Sequence, residues 1–233
     1  MKVLIAGGSS GIGLATAALL ANEGAEVTIT GRSPQKMEQA LATLPASVEG
    51  RLADAADADQ LKACLAATGN IDHLVLALSG AKGGGLFKTL DLAQLRAGFD
   101  EKFFPQLQTL QAALPYMGPG GSVTFITAVS AQARAAGTGG LAAINGALEL
   151  MVPILAKELQ PLRVNAISPG VIDTPWWHFM AEKDRRETFR QYAAATPAGR
   201  VGQGEDIAHA IRLLISNTFI TGQVLTVDGG LGL

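Results

Sequence analysis

Val3-Leu4-Ile5-Ala6-Gly7-Gly8-Ser9-Ser10-Gly11-Ile12-Gly13 decides how this chain folds. Lys2 to Ala6 reads as a strand, and Ile12 to Glu23 reads as a helix. Three spaced glycines stand between them. Gly7 permits a tight turn, Gly11 lets backbone approach a pyrophosphate, and Gly13 allows the helix to pack closely on the strand. The helix start then presents free N–H groups and the positive end of its dipole. The unbroken apolar run before Gly7 is only four residues, Val3 to Ala6, too few for a membrane span or the core of a signal peptide.

Outward from this unit, short β-rich runs alternate with longer helical stretches. Strands are expected at Lys2 to Ala6, Glu26 to Thr30, Ser47 to Leu52, Ile71 to Leu78, Ser122 to Thr127, Arg163 to Ile167 and Gln223 to Val227. Helices are expected at Ile12 to Glu23, Pro34 to Leu44, Asp57 to Thr68, Asp91 to Met117, Gly139 to Leu159 and Glu205 to Ser216. This alternation is the pattern of an α/β fold, a doubly wound seven-stranded parallel sheet with helices on both faces. Residues 1–233 read as a single Rossmann-type domain. Pro153 predicts a bend in the helix from Gly139, which is apolar around most of its girth and so predicts a subunit contact.

Nearly half of the 233 residues are apolar and 16% are charged, a balance that supports a large core and excludes disorder. A formal net charge of -2 with no basic run gives nucleic acid nothing to neutralise. Cys64 is the lone cysteine and three histidines are scattered, so neither an internal disulfide nor a metal site is expected. These features predict a cytoplasmic protein without a nucleic-acid or membrane partner.

The spacing Gly7-x-x-x-Gly11-x-Gly13 resembles that of the short-chain dehydrogenase/reductase family, and the resemblance runs nearly the whole length of the chain. Asp54 matches the acidic residue that contacts adenine. Asp72 stands where the family often has a structural aspartate. Asn165 to Pro175 matches the segment that packs on nicotinamide, with Thr174 placed for the carboxamide. Arg200-Val201-Gly202, Glu205 to Ala208 and Ile220 to Gly230 match its C-terminal signatures. The resemblance implies a nicotinamide dinucleotide held by Gly7, Ser9, Ser10, Gly11, Ile12, Gly13, Arg32, Ser33, Asp54, Ala77, Leu78, Ser79, Pro169, Gly170, Val171 and Thr174. Arg32 follows the second strand where members preferring NAD carry an acid. A guanidinium there pairs with a 2′-phosphate, which favours NADP(H) over NAD(H). The family's Asn-Asn-Ala-Gly has no clean counterpart around Leu76 to Gly80.

The family's catalytic residues are a serine, a tyrosine, a lysine four residues after it, and an asparagine from the preceding helix. Their positions fall here on Ala128, Leu141, Asn145 and Lys102. Tyr116 and Tyr192 are the only tyrosines, and neither has a lysine four residues later. The catalytic residues are therefore open, with Lys102 a candidate because lysine and asparagine stand exchanged. Ser130, Thr127 and His178 are lesser candidates; strand alternation points Thr127 away from the site. The resemblance also implies a substrate-covering lid at about 173–200, and within it Trp176-Trp177-His178-Phe179-Met180 predicts an apolar ligand or a subunit contact. Two functions follow: hydride transfer between nicotinamide and a carbonyl/alcohol substrate by an atypical site, or a catalytically inactive NADP(H)-binding sensor, regulator or structural subunit. A homotetramer or homodimer is expected.

Overall fold

A computed structural model describes residues 1–233. Nine strands form: β1 Lys2–Ala6, β2 Glu26–Gly31, β3 Glu49–Leu52, β4 Ile71–Leu76, β5 Met117–Ile126, β6 Arg163–Pro169, β7 Ile172–Asp173, β8 Gly202–Gln203 and β9 Val224–Val227. Seven make one sheet in the order β3-β2-β1-β4-β5-β6-β9, all neighbours parallel. The chain winds outward from β1 to β3, then returns to place β4 on the other side of β1. That reversal opens a crevice at the C-terminal ends of β1 and β4, where open α/β sheets take their ligands.

Helices cover both faces: α1 Gly11–Asn22, α2 Pro34–Leu41, α3 Ala58–Thr68, α4 Leu92–Gly98, α5 Phe104–Ala113, α6 Gly139–Glu158, α7 Glu182–Ala195 and α8 Gly204–Ser216. Successive strand residues point to opposite faces, so the core divides in two. Val3, Ile5, Val75 and Ile167 pack with α1, α2 and α8, through Leu20, Met37 and Ile211 among others. Leu4, Ala6, Leu74, Leu76, Phe125 and Ala166 pack with α3, α5 and α6, through Leu65, Leu110 and Leu148. The helix α6 is long and apolar enough to cross a membrane. Here it is a core helix, with Ile144, Leu148, Val152 and Ala156 buried.

The predicted helix from Asp91 to Met117 is three pieces. A π-helical turn, Phe99–Phe103, joins α4 to α5, and a 3₁₀ turn then leads into β5 at Met117. Pro105 supplies a reason: it has no N–H for the carbonyl four residues back, and its ring crowds that carbonyl. The expected strand 71–78 ends at Leu76, the expected strand from Ser47 starts at Glu49, and β6 continues through Ser168 to Pro169. The helix α6 runs continuously through Pro153. Within 173–200 the sequence reading missed α7, and it missed the two-residue strands β7 and β8, which pair with each other outside the main sheet.

Candidate functional site

The turn after β1 is built from close backbone approaches. A Cβ on Gly13 would lie 2.3 Å from the Gly7 carbonyl oxygen, and one on Gly7 would lie 2.7 Å from that of Ala77. Gly7 and Gly11 also have φ of 83° and 53°, the left-handed region that L side chains avoid. Ser10 is the N-cap of α1, yet its side chain makes no capping hydrogen bond. By contrast, Ser33 caps α2 by accepting from Lys36, and Asp57 caps α3. The first N–H groups of α1 are thus left facing the crevice, the arrangement that receives a phosphate.

Around that turn stand the other expected residues. Ser9 lies against Gly31, Thr174 lies 3.3 Å from where a Cβ on Gly11 would be, and Ala77 meets Gly7. Arg32 follows β2, is exposed, and takes part in none of the chain's ion pairs. Asp54 follows β3 and accepts from the Ala56 amide through one carboxylate oxygen at 3.0 Å, leaving the other available. Gly170 packs on Asp228, which joins the end of β6 to the loop after β9. These residues and this turn fit a dinucleotide.

Beside the crevice lies a buried polar cluster. Lys102, in the π-helical turn and 8% exposed, donates to the Thr127 carbonyl at 3.0 Å. Burial pushes its ammonium down to about 8, and the Glu149 carboxylate works against that shift. Glu149, on α6, accepts from the hydroxyls of Thr127 and Ser168 at 2.8 Å each and from Gln132 Nε2 at 3.1 Å. Asn145, one turn earlier, donates through Nδ2 to Ser130 Oγ at 3.1 Å and to the Leu141 carbonyl at 3.0 Å. Gln106, one turn after Lys102, donates to the carbonyls of Leu78 and Ile126 and so ties the ends of β4 and β5 together.

The segment after β7 reaches across to this edge. Trp176 Nε1 donates to the Gly80 carbonyl at 2.9 Å, while Trp177 Nε1 donates to Ile172 at 3.0 Å. The Gly80 loop is held from below by Glu101, which accepts from the Ala81 amide and pairs with Lys82 at 2.7 Å. Trp176, Trp177, Phe179, Phe189 and Tyr192 form one aromatic group.

Comparison with known proteins now decides the family. A model described as enoyl-(acyl carrier protein) reductase matches residues 6–232. The chain belongs to the short-chain dehydrogenase/reductase family. It is 31% identical to the 3-oxoacyl-[acyl-carrier-protein] reductase FabG of Thermotoga maritima, over 98% of this chain and 96% of that one. It is 30% identical to dehydrogenase/reductase SDR family member 4 of Pongo abelii, over 97% and 86%. A small-chain dehydrogenase solved in complex with NADPH superposes with a TM-score of 0.88 at 31% identity, covering 100% of this chain and 98% of that one.

Seen as a member of this family, the chain brings most of the sequence-expected residues to one sheet edge. Others act elsewhere. Arg200 pairs through both guanidinium nitrogens with Asp206, which also accepts from the Gln203 amide as part of a capping box on α8. Asn165 joins β6 to the Ile220–Gln223 turn, and Asp72 accepts from the Lys2 amide; both are structural. His178 is exposed and hydrogen-bonds to nothing in the chain. Thr127, just past the end of β5, is 2% exposed, and its hydroxyl donates to Glu149 at 2.8 Å and lies 3.1 Å from the Ile167 carbonyl. Glu149 and Gln106 were missed. Each is a polar residue on a helix face that is otherwise core, and that mismatch was the available signal.

Proposed function

We propose that this chain binds NADP(H) and exchanges hydride between a carbonyl and an alcohol, with Lys102 as its acid/base. The observation that carries the cofactor half is the uncapped start of α1 between Gly7 and Gly13, followed at the end of β2 by the unpaired Arg32. In this reading the α1 amides and Gly11 take the pyrophosphate, Arg32 and Ser33 the 2′-phosphate, and Asp54 the adenine. Ala77 to Ser79, Pro169 to Val171 and Thr174 flank the nicotinamide. That group supplies the hydride when bound.

Hydride delivery to a carbonyl leaves negative charge on oxygen, which has to be met by a proton and by directed donors. Ala128 and Leu141, at the family's serine and tyrosine positions, have no protic side chain. Lys102 is the ionisable group beside them, and an ammonium titrating near 8 is matched to proton transfer near neutral pH. Glu149 keeps it charged at a distance while satisfying its own oxygens on Thr127, Ser168 and Gln132. Trp176 and its aromatic neighbours form a lid over 173–200 that excludes water and favours a carbonyl bearing an apolar chain. The relatives named as reductases of acyl chains make 3-oxoacyl thioesters sensible members of a test panel.

One observation favours a second reading. Lys102 is almost wholly buried on the Thr127 carbonyl, so a chain that holds NADP(H) without turning it over, as a sensor, regulator or structural subunit, fits the same site. The deciding experiment titrates NADPH and NADH against wild type and Arg32→Ala, then follows NADPH oxidation over ketones, aldehydes and acetoacetyl thioester from pH 6 to 10. Tighter NADPH binding that Arg32→Ala abolishes is expected. Carbonyl reduction should fall as pH rises through about 8, where Lys102 loses its proton, and Lys102→Ala should abolish it. Tight NADPH binding with no turnover on any substrate selects the second reading, and equal NADH affinity removes the Arg32 assignment.

A further inference from the structure

We propose that Ser130 is the hydrogen-bond donor to the substrate's carbonyl oxygen, aimed by Asn145. The assignment rests on the reading of the chain as a carbonyl/alcohol oxidoreductase and supplies a donor where Ala128 offers none.

The argument starts at the Leu141 carbonyl, which can only accept. It lies 3.0 Å from Asn145 Nδ2, so the amide must present its N–H side there; turned over, Oδ1 would face another carbonyl oxygen at the same distance. The second hydrogen of Nδ2 then goes to Ser130 Oγ at 3.1 Å. Ser130 is therefore an acceptor towards Asn145, and its own O–H is left for another partner. No acceptor within the chain takes it. The cost of this arrangement is visible in Asn145 itself, whose Oδ1 is buried without a partner although the side chain is only 4% exposed. A buried acceptor left unmet is unfavourable, so the amide's orientation is enforced by its two donor contacts rather than by the needs of its oxygen.

Ser130 is half-buried, in the 3₁₀ turn Val129–Ala131 that follows the C-terminal end of β5, the end of the sheet at which the crevice lies. The turn displaces its hydroxyl from the strand's alternation, which explains why its distance from the family's serine position left it only a lesser candidate in the sequence. Asn145 stands on α6, whose neighbouring turn is packed on the sheet through Ile144 and Leu148. The donor is thus a short side chain held from a helix that is packed into the core, the condition under which an aimed hydroxyl outperforms water. Ser130 transfers no proton in this scheme; it stabilises the developing negative charge while the proton comes from Lys102.

The test uses the carbonyl stretch of [carbonyl-¹³C]acetophenone bound to the protein with NADP⁺, a pairing that cannot react. In wild type the band should move to lower frequency than in buffer. Ser130→Thr should keep that shift, Ser130→Ala should abolish it, and Asn145→Ala should weaken it. Turnover of ketones by Ser130→Ala should fall about 10²- to 10³-fold, chiefly in kcat. An unshifted band in wild type, or a shift that survives Ser130→Ala, overturns the assignment, even in a protein that reduces ketones by way of Lys102. NADPH binding on the same samples separates the two failures. Protein that holds the cofactor but leaves the carbonyl unshifted fails here alone, whereas protein that holds none fails as an NADP(H) oxidoreductase and takes this donor with it.

Discussion

Lys102 replaces a neutral side chain by a charge in a place closed to solvent, and its consequences reach beyond catalysis. The fall from 10.5 to about 8 corresponds to about 3 kcal/mol of net destabilisation of the buried ammonium, what remains of the burial cost after the attraction of Glu149. Below pH 8 both folded and unfolded chains carry the proton, so the whole cost is present. Between pH 8 and 10.5 the unfolded chain still holds the proton while the folded chain has released it, and stability therefore rises with pH across that window. Urea unfolding of wild type and Lys102→Met from pH 7 to 10 should show the wild type gaining on the variant as pH climbs above 8. Parallel curves would show that the ammonium is solvated after all. This residue was half legible in the sequence. Its exchange with Asn145 was visible through the family resemblance, but its depth and its relation to Glu149 come from α6 and the π-helical turn meeting across 47 positions, which no local pattern records.

The same division holds among the elements. The central strands β1, β4 and β6 and the second half of β5 could be read because each is a largely buried run rich in apolar residues between turn signals, whereas β3, Glu49 to Leu52, is largely exposed and was placed mainly by its position in the α/β alternation. By contrast, α7 hid in Glu182 to Ala195 because it has no buried residue; it reads as a solvated charge run, and Glu187 pairs with Arg190 along its surface. Phe189 and Tyr192 pack it on Trp177. The strand–turn–helix unit at the start is the opposite case, where glycines state the geometry outright. Gly13→Ala would place a methyl group 2.3 Å from the Gly7 oxygen, a clash with backbone that no side chain can relieve. The variant should lose about 1–3 kcal/mol of stability and most of its NADPH affinity, because α1 has to move away from the turn whose amides it supplies. Urea unfolding and NADPH fluorescence read the two effects. A variant that keeps both would show that the close approach is unnecessary.

At the scale of the whole molecule, the apolar surface left over by folding is unevenly spread. On α6, Leu150 is 75% exposed and Ile154 55%, one helical turn apart on the same face, with Pro153 between them also exposed; Phe104, at the start of α5, is 49% exposed. The opposite side of α6 is core, so the helix is apolar both inwards and outwards, which a solitary chain in water has no reason to maintain. Stable association between copies of this chain through that face is the expected consequence, and closed symmetry makes a dimer or a tetramer its natural outcome. Because α6 also carries Asn145 and Glu149, an interface there would stiffen the helix that positions the polar cluster. Light scattering of the purified protein should give a mass of two or four chains. Leu150→Glu with Ile154→Glu, which places two carboxylates in the middle of the contact while leaving every core residue intact, should shift that mass downwards. Circular dichroism of the variant should be unchanged, since neither side chain is buried within the chain. A wild type that remains a monomer at micromolar concentration, or a double variant that keeps the wild-type mass, would mean that this face is not where copies meet, and the apolar surface of α6 would need another occupant.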